Sequence, residues 1–260
     1  MNRHNFIDGN QFKYIADMYV DEDKMFIHPE ELEKKPKIIF IKGDWIERFK
    51  IKILPHIDWK FKLISHNADT ATPLPHIDLL QDDRVIHWYG MNANLKHDKF
   101  TPIPIGVAND RWEHGNKNIL QKVIDTPVEK IDRVYCNFDC NTNPIRYDIL
   151  EQLKQYDFID FENTKLPYEE YLLKLKQYKW TVSPPGNSVD CHRIWESIYL
   201  GVTPIVQKNI AMDTFKDLPI HFVDSWENIT IASLKKQYKY IVNKDKLNSN
   251  FLFYKKDIHE

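Results

Sequence analysis

The sequence contains little glycine, and this scarcity excludes two common ways of binding a nucleotide. Seven of the 260 residues are glycine, and no two of them are two or three positions apart. The G-x-G-x-x-G fingerprint of dinucleotide-binding folds is therefore absent, and so is the G-x-x-x-x-G-K-S/T phosphate loop. Nicotinamide chemistry and P-loop chemistry are thus disfavoured.

Cysteine is also scarce, and long apolar runs are missing. Three cysteines, at positions 136, 140 and 191, are too few and odd in number for a disulfide framework, which favours a reducing compartment. No apolar run approaches the roughly 20 residues that span a bilayer, and the first residues lack the apolar stretch of a signal peptide. We therefore expect a soluble, cytoplasmic protein without a membrane span.

The sequence also lacks an excess of either charge, because 36 basic residues nearly balance 38 acidic ones. A net charge of −2 gives no uniform field for gripping a phosphate backbone, so a nucleic-acid partner is not expected. The 11 histidines form no H-x-H or H-E-x-x-H motif, and the spacing of Cys136 and Cys140 is not that of a zinc finger. The sequence therefore predicts no metal site and no other cofactor.

Short continuous apolar runs begin at Lys37 and alternate with helical stretches, which is typical of parallel strands buried on both faces. The first series has predicted strands at 37–41, 60–65, 84–90 and 100–107, and predicted helices near 45–56 and 76–82. The second series has predicted strands at 133–138, 158–161, 180–183, 203–206 and 220–223, and predicted helices near 145–156, 167–177 and 190–200. Residues 1–36 show weak periodicity and predict at most a short helix.

This alternation predicts an α/β fold with two doubly wound, Rossmann-like lobes. Residues 109–132 are polar and form the candidate linker, so the expected lobes are 1–130 and 131–260. A helical tail at 229–256 could pack back on the first lobe.

The most informative segment spans residues 180–206 and is typical of strand, turn, helix and strand. In the turn, Pro184 and Pro185 cannot continue a ladder of backbone hydrogen bonds, and Gly186 allows the close approach of a ligand. Three residues can cap the start of the next helix, and these are Asn187, Ser188 and Asp190. A helix N terminus behind the carboxyl end of a buried strand is where α/β sheets bind anions.

Arg193 and Glu196 lie three residues apart near the start of this predicted helix, and hence on the same side of it. The planar fork of Arg193 complements a pyrophosphate, while the Glu196 carboxylate can accept hydrogen bonds from a ribose diol. Arginine is rare in this lysine-rich chain, which favours a functional choice of arginine here. The alternative is an ordinary strand connection in which the two residues form a surface ion pair.

The string S-P-P-G-N-S-V-D-C-H-R-I-W-E-S-I-Y-L-G-V-T-P-I-V at residues 183–206 resembles the donor-binding signature of exostosin-like glycosyltransferases of the GT-B type. That signature combines a serine, proline and glycine loop with R-x-x-E and G-x-x-P-I/V-I/V. The stretches P-I-P-I-G-V-A-N at 102–109 and N-F-D-x-N-x-N-x-x-R at 137–146 also fit the family's layout. Compact members build glycans in large algal viruses, where they would act in the host cytoplasm.

The resemblance implies a GT-B fold, with two Rossmann-like lobes facing across a cleft. A UDP-sugar would bind the second lobe, an oligosaccharide acceptor the first, and no metal would be required. Arg193 would contact the diphosphate and Glu196 the ribose. The donor site would also include Ser183, Pro185, Gly186, Asn187, Ser188 and Asp190. The loop reads Pro-Pro-Gly-Asn where many relatives have a basic or second small residue, so the accommodated sugar or base could differ.

Two further residues are candidates for catalysis. Arg146, just after a predicted strand, could supply a second positive charge for a departing diphosphate; alternatively it pairs on the surface with Asp148 or Glu151. Asp69 follows the second predicted strand and is the first choice for the base that takes the acceptor proton, with His66 as the second choice. Capping of the following loop is the competing explanation for Asp69 and for Asn67.

His66 and Asn67, at the edge of the first predicted sheet, are candidates for contacting the acceptor, and so are Trp112 and His114. An aromatic face with polar neighbours suits stacking on a sugar. The acidic cluster at 21–23 superficially resembles the metal-binding D-x-D of the GT-A architecture. That motif needs to end a buried strand, whereas this cluster lies in a charged leader, so we interpret it as solvated.

The leading hypothesis is an inverting, metal-independent glycosyltransferase that moves a sugar, with xylose as the best guess, from a UDP donor to a glycan hydroxyl. A non-catalytic protein that binds nucleotide sugars or glycans is the alternative. A phosphate-handling hydrolase is a third possibility, although the sequence lacks a nucleophile motif such as G-x-S-x-G.

Overall fold

The computed structural model describes residues 6–237 and 256–259. These residues form two compact α/β units. The first unit contains residues 7–105 and 256–259, and the second contains Phe6 and residues 106–237. Each unit is built on a five-stranded parallel sheet, so the predicted α/β class with two Rossmann-like lobes is confirmed. Among the described residues, no helix is long and apolar enough to cross a membrane.

The sheet of the first unit follows the order of the chain. Its parallel strands are β1 (Met18–Val20), β2 (Ile38–Lys42), β3 (Phe61–His66), β4 (Val85–Gly90) and β5 (Phe100–Pro102). The helices of this unit are α1 (Gly9–Ile15), α2 (Pro29–Glu33), α3 (Ile46–Lys52) and α4 (Asp78–Gln81). Because the order β1-β2-β3-β4-β5 never reverses, this sheet departs from the doubly wound arrangement that we predicted.

The strands form where the chain is continuously apolar. In β2 the four residues 38–41 are all buried, as expected for a parallel strand covered on both faces. The predicted strands near β2, β3 and β4 match the observed ones to within one residue at either end. The prediction at 100–107 is too long, because β5 ends at Pro102.

The charged leader contains structure that the sequence did not predict. Besides α1 it forms β1, which pairs with β2, and the acidic cluster 21–23 follows β1 directly. Asp21 is 3% exposed, and its carboxylate lies 2.6 Å from the buried Lys13 ammonium, which also pairs with Asp23. The interpretation of the cluster as solvated is therefore wrong for Asp21, whose charge is balanced by a lysine inside the fold.

The sheet of the second unit reverses direction. Its parallel strands are β6 (Ile131–Cys136), β7 (Ile159–Phe161), β8 (Tyr178–Val182), β9 (Thr203–Gln207) and β10 (His221–Val223). The spatial order is β10-β9-β8-β6-β7, so β6 has β7 on one side and β8 on the other. The position between β6 and β8 is a topological switch point. Open α/β sheets bind their ligands at such a point, outside the carboxyl ends of the strands.

Among the described residues, six α-helices accompany this second sheet. They are α5 (Lys117–Asp125), α6 (Ile145–Leu153), α7 (Tyr168–Lys176), α8 (His192–Tyr199), α9 (Ile210–Asp213) and α10 (Ile231–Gln237). One face of the sheet carries a cluster of buried apolar side chains that includes Val134, Trp180 and Val182. The alternate positions of β6 and β8, which include Tyr135 and Thr181, point to the opposite face.

The division between the units lies at 105/106, earlier in the chain than the predicted position near 130. The predicted linker contains α5, which packs against α7. The Lys176 ammonium donates hydrogen bonds to three carbonyl oxygens at the end of α5, those of Val123, Ile124 and Thr126. A lysine at this position satisfies carbonyls that a helix end leaves unpaired, and it ties α5 to the second unit.

Residues 256–259 are helical and belong to the first unit. Asp257 accepts hydrogen bonds from the Tyr89 hydroxyl at 2.8 Å and, through its backbone carbonyl, from the Lys62 ammonium at 2.8 Å. The final residues thereby pack on β3 and β4. Of the predicted helical tail at 229–256, residues 238–255 lie outside the described residues.

Lys13→Met removes the cation that balances a buried carboxylate. Because Asp21 then stays buried without its partner, we expect the free energy of unfolding to fall by about 3–5 kcal/mol, measured by urea denaturation. Lys42→Met is the matched control, since Lys42 pairs with the more exposed Glu22 and Asp44, and should cost less than about 1 kcal/mol. Equal losses in the two variants would contradict this account.

Candidate functional site

Two loops meet the switch point of the second sheet. One follows β6 and spans residues 137–144, and the other follows β8 and spans residues 183–191. Since β6 and β8 are neighbours and parallel, their carboxyl ends lie at the same edge of the sheet. The segment that carries the predicted donor-binding motif therefore lies where the topology favours ligand binding.

The N-cap residue of α8 is Cys191, whose side chain makes no capping hydrogen bond, although the sequence offered Asn187, Ser188 and Asp190 for this position. Asp190 is 2% exposed and accepts a hydrogen bond from the Trp195 indole at 2.8 Å, which ties its carboxylate to the packing of α8. The positive end of the helix dipole lies at this edge of the sheet.

Arg146 fastens the two loops together from the beginning of α6. Its guanidinium donates to the carbonyl oxygens of Pro185 at 2.7 Å, Asp139 at 2.9 Å and Pro184 at 3.3 Å. The alternative surface pairing with Asp148 or Glu151 is not formed. Arg146 is 5% exposed, and its guanidinium donates its hydrogen bonds to these carbonyl oxygens instead. Arg146 thus holds the Pro-Pro-Gly turn in place while bringing a buried positive charge to it.

Gly186 packs closely against Arg146 at this turn. A Cβ atom on Gly186 would lie 3.1 Å from a terminal nitrogen of Arg146, tighter than ordinary contact. The Asn143 amide also donates to the Gly186 carbonyl at 2.7 Å, and the Gly186 amide donates to the Ser188 carbonyl at 2.8 Å. The loop is therefore held rigidly by its own backbone and by the loop after β6.

Arg193, in the first turn of α8, is half-buried. Burial lowers the pKa of the Arg146 guanidinium, and the positive charge of Arg193 lowers it further, so the two guanidiniums are close enough to repel each other. Among the residues that the structure describes, neither guanidinium forms a direct ion pair, although Glu196 attracts Arg193 and Asp139 attracts Arg146 electrostatically. Two arginines thus place positive charge that is only partly balanced at the switch point.

Glu196 lies one turn further along α8 and is 4% exposed. The Tyr168 hydroxyl donates to one carboxylate oxygen at 3.2 Å, and the Tyr171 hydroxyl donates to the other at 3.3 Å. Burial raises the pKa of Glu196 to about 7, against the opposing effects of Arg193 and the two tyrosines. The exposed Arg193–Glu196 surface pair that formed the alternative interpretation is therefore not present.

Two hydroxyl groups at this face of the sheet are buried and lack hydrogen-bond partners among the described residues. They are the Oγ atom of Ser183, at the beginning of the loop after β8, and the phenol of Tyr135 in β6. Both residues are 1% exposed. Unpaired buried hydroxyls are rare in folded proteins, and sites for polar ligands are among the places where they occur.

The candidates in the first unit lie in the bend after β3. Asp69 is exposed there, and Asn67 has a left-handed backbone with φ of 58°. His66 is 1% exposed: one ring nitrogen accepts from the Asn67 amide at 2.7 Å, and the other is 3.0 Å from the Pro104 carbonyl. Burial lowers the pKa of His66. Both ring nitrogens of His66 therefore have hydrogen-bond partners within the first unit.

Trp112 and His114 belong to the second unit, not to the first lobe as predicted. Trp112 is 51% exposed and stacks on His114 with ring centroids 6.0 Å apart, and His114 lies 6.1 Å from the ring of His192 at the start of α8. A surface depression of about 620 Å³ beside Trp112 is lined by residues 110–113 and 116–119. The aromatic pair therefore lies on the same unit as the two arginines.

The sequence did not single out the tyrosines that surround Glu196. Tyr168 and Tyr171 lie three residues apart on α7 and so face the same side. The Y-x-x-Y spacing was the available signal, but nothing in it indicates that the partner is a carboxylate on α8.

Glu196→Gln should change the pH dependence of stability. The pKa of Glu196 is raised from 4.5 to about 7, so between these pH values the folded protein holds a proton that the unfolded chain releases. The free energy of unfolding therefore falls as the pH rises through this window, and the loss is complete above it. At about 1.4 kcal/mol per pKa unit the total is on the order of 3 kcal/mol.

We expect this decline to disappear in Glu196→Gln, measured by denaturation at a series of pH values. Glu170→Gln, which changes an exposed carboxylate on α7, the helix that carries Tyr168 and Tyr171, is the control and should keep the decline. An unchanged pH profile in Glu196→Gln would contradict the assignment.

No protein-family model matches the chain, and no curated protein sequence matches it. Among solved structures, it is similar to the UDP-GlcNAc 2-epimerase of Methanocaldococcus jannaschii, crystallised with UDP-GlcNAc and UDP. The TM-score is 0.34 and the sequence identity 12%, and the similarity covers 90% of this chain and 82% of that one. The function is therefore inferred from the residues of the site.

Proposed function

We propose that the second unit binds the diphosphate of a nucleotide sugar at its switch point, and that the protein is a glycosyltransferase. The observation that carries this proposal is that the guanidiniums of Arg146 and Arg193 lie close to one another at the start of α8 and that neither forms a direct ion pair among the described residues. Positive charge that the fold does not neutralise favours an anionic ligand there. The resemblance of residues 183–206 to exostosin-like enzymes supports a UDP-sugar as that ligand.

In this proposal Arg193 contacts the diphosphate directly. Arg146 uses three of its five N–H donors on backbone carbonyls, so it contributes mainly charge and the position of the loop. The Ser183 hydroxyl and the start of α8 supply further donors, and the loop residues Pro185, Gly186, Asn187 and Ser188 line the site. Asp190 supports this site through Trp195.

Glu196 anchors the ribose of the donor. Each oxygen of a carboxylate can accept two hydrogen bonds, and the tyrosines of α7 use one on each oxygen. The remaining acceptor capacity matches the two hydroxyls of a ribose diol. The tyrosines would therefore orient the carboxylate and still leave one acceptor position on each of its oxygens.

The reaction is transfer of the sugar to a hydroxyl of an oligosaccharide or glycoprotein glycan. The acceptor oxygen forms a bond to C1 of the sugar as the bond from C1 to the diphosphate oxygen breaks, and the acceptor proton passes to a base. Asp69, an exposed carboxylate directly after β3, is our candidate for that base. The negative charge that develops on the leaving diphosphate is stabilised by Arg193 and Arg146.

Inversion at C1, independence of metal ions and xylose as the donor sugar follow from the family resemblance alone, and we propose them on that ground. Asn67, Trp112 and His114 are proposed to contact the acceptor.

Arg193→Ala should weaken binding of UDP by about 1.5–3 kcal/mol, because it removes charge-assisted hydrogen bonds from a partly desolvated site. Isothermal titration calorimetry measures the dissociation constant. Arg133→Ala is the control, since Arg133 is an arginine of the same unit that is neutralised by Asp160 at 2.6 Å. An unchanged dissociation constant in Arg193→Ala would exclude the proposed diphosphate contact.

Asp69→Asn should leave UDP binding intact and reduce sugar transfer by about 10²–10⁴-fold, the usual contribution of a general base. The assay follows UDP release from a panel of UDP-sugars that includes UDP-xylose, with a chelator present. Asp83→Asn, at another exposed aspartate of the same unit, is the control. Full transfer by Asp69→Asn would assign the base elsewhere, and UDP binding without transfer by the wild type would favour the non-catalytic alternative.

A further inference from the structure

The three carbonyl oxygens of the Pro-Pro-Gly turn all accept hydrogen bonds from one short segment. The Arg146 guanidinium donates to those of Pro184 at 3.3 Å and Pro185 at 2.7 Å. The side-chain amide of Asn143 donates to that of Gly186 at 2.7 Å. Both donors lie within residues 143–146, at the start of α6. The carbonyl side of the turn therefore faces α6.

Gly186 is the residue of the turn whose backbone needs an external hold. Because glycine has no Cβ atom, its peptide groups are restricted less than those of other residues. The amide of Gly186 donates to the Ser188 carbonyl at 2.8 Å, and its carbonyl is held by Asn143. Since a peptide group is planar and trans, the carbonyl of Gly186 and the amide of Asn187 point in opposite directions. The hydrogen bond from Asn143 therefore also fixes the direction of the Asn187 amide.

An asparagine suits this position because its side chain offers both a donor and an acceptor. While Nδ2 of Asn143 donates to Gly186, Oδ1 accepts from the backbone amide of Ile145 at 3.2 Å. An ionised aspartate has the same shape but offers acceptors only, and a serine side chain is too short to make both contacts. Asn143 is thus anchored to α6 while it holds the turn.

Asn141 provides the contrast within the same loop. It is exposed, and its Oδ1 accepts from the Tyr147 hydroxyl at 2.8 Å. Among the residues that the structure describes, its side chain forms no hydrogen bond with the loop of residues 183–191. Of these two asparagines, Asn143 is therefore the one that holds the Pro-Pro-Gly turn.

We propose that Asn143 is a positioning residue that turns the Gly186 carbonyl towards α6 and thereby keeps it from facing the diphosphate of the ligand. This inference rests on the proposed function and extends it to the loop that borders the site. A carbonyl oxygen carries partial negative charge and repels an anion, whereas the N–H side of a turn attracts one. Without Asn143, the Gly186 carbonyl would turn towards the positive charge of Arg193 and of the start of α8, where it would compete with the ligand.

The first test compares Asn143→Ser with Asn141→Ser by calorimetry with inorganic pyrophosphate. Neither substitution changes a charge, and urea denaturation checks that each variant is folded. We expect Asn143→Ser to weaken pyrophosphate binding about tenfold, the effect of about one lost hydrogen bond, and Asn141→Ser to change it less than about twofold. Equal effects of the two variants would overturn the proposal, and so would wild-type affinity in Asn143→Ser.

The second test removes the donor and preserves the size of the side chain. Asn143→Asp keeps an oxygen that accepts from Ile145 but lacks the N–H that holds Gly186. Asn141→Asp adds the same charge to the same loop and leaves the turn untouched. We expect Asn143→Asp to bind pyrophosphate about tenfold more weakly than Asn141→Asp. Equal affinities would show that packing or charge alone explains the role of Asn143, and would overturn the proposal.

The third test observes the carbonyl group itself by NMR. Carbon-13 labelling of glycine carbonyls gives one signal for each of the seven glycines. Without ligand, the Gly186 signal should move upfield in Asn143→Ser, because the carbonyl loses its hydrogen bond, and should stay in place in Asn141→Ser. Saturating pyrophosphate should then shift this signal further in Asn143→Ser than in the wild type, since the anion has to turn the carbonyl away. An unmoved signal in Asn143→Ser, or equal shifts on adding pyrophosphate, would overturn the proposal.

The outcomes separate this role from the proposed function. If pyrophosphate failed to bind the wild-type protein, the proposed function would fall and the positioning role would fall with it. If pyrophosphate bound the wild type and Asn143→Ser equally well, the positioning role alone would fall.

Discussion

Positive charge that no direct ion pair balances is the constraint around which the candidate site of the second unit is organised. Arg146 is almost fully buried, yet its guanidinium meets carbonyl oxygens and no carboxylate among the described residues. Burying a charge without a counter-charge costs desolvation free energy. Hydrogen bonds to three carbonyl oxygens offset only part of that cost. The fold retains this arrangement beside Arg193 and the positive end of α8, which adds to the same charge. An anionic ligand would restore the balance that the protein leaves open.

The topology explains why these groups meet. β6 and β8 are distant in sequence and adjacent in the sheet, so the loop of residues 137–144 and the loop of residues 183–191 share one edge. Arg146 joins them through backbone carbonyls, and the missing side chain of Gly186 leaves it room. The guanidinium of Arg146 therefore both carries charge at the site and holds the two loops in their conformation.

Much of this arrangement could be predicted from the sequence, and the limits have physical causes. The strands near β2, β6, β8 and β9 were found because each is a continuous apolar run of the length that a buried parallel strand needs. β1 was missed because it has three residues within a charged segment, and only pairing with β2 shows it to be a strand. Its acidic neighbours looked solvated because the lysine that balances them comes from α1.

In the candidate site, too, some features could be predicted from the sequence and others could not. Arg193 and Glu196 were found because their spacing places them on one side of a helix behind a turn. The sequence could not show that Asp190 is committed to Trp195, or that His66 is enclosed by Asn67 and Pro104, since these contacts depend on packing and backbone position. A prediction of residue type and spacing can locate a site, whereas the free or occupied state of each polar group is decided by its neighbours in space.

The surroundings of Glu196 show how neutral hydroxyls can stabilise a buried carboxylate. A direct pair with Arg193 would offset part of the cost of burying both groups, and it would also weaken their attraction for a ligand. Hydrogen bonds from Tyr168 and Tyr171 stabilise the carboxylate without cancelling the positive charge beside it. The pKa of Glu196 stays raised, because two neutral donors and the charge of Arg193 do not fully overcome the effect of burial.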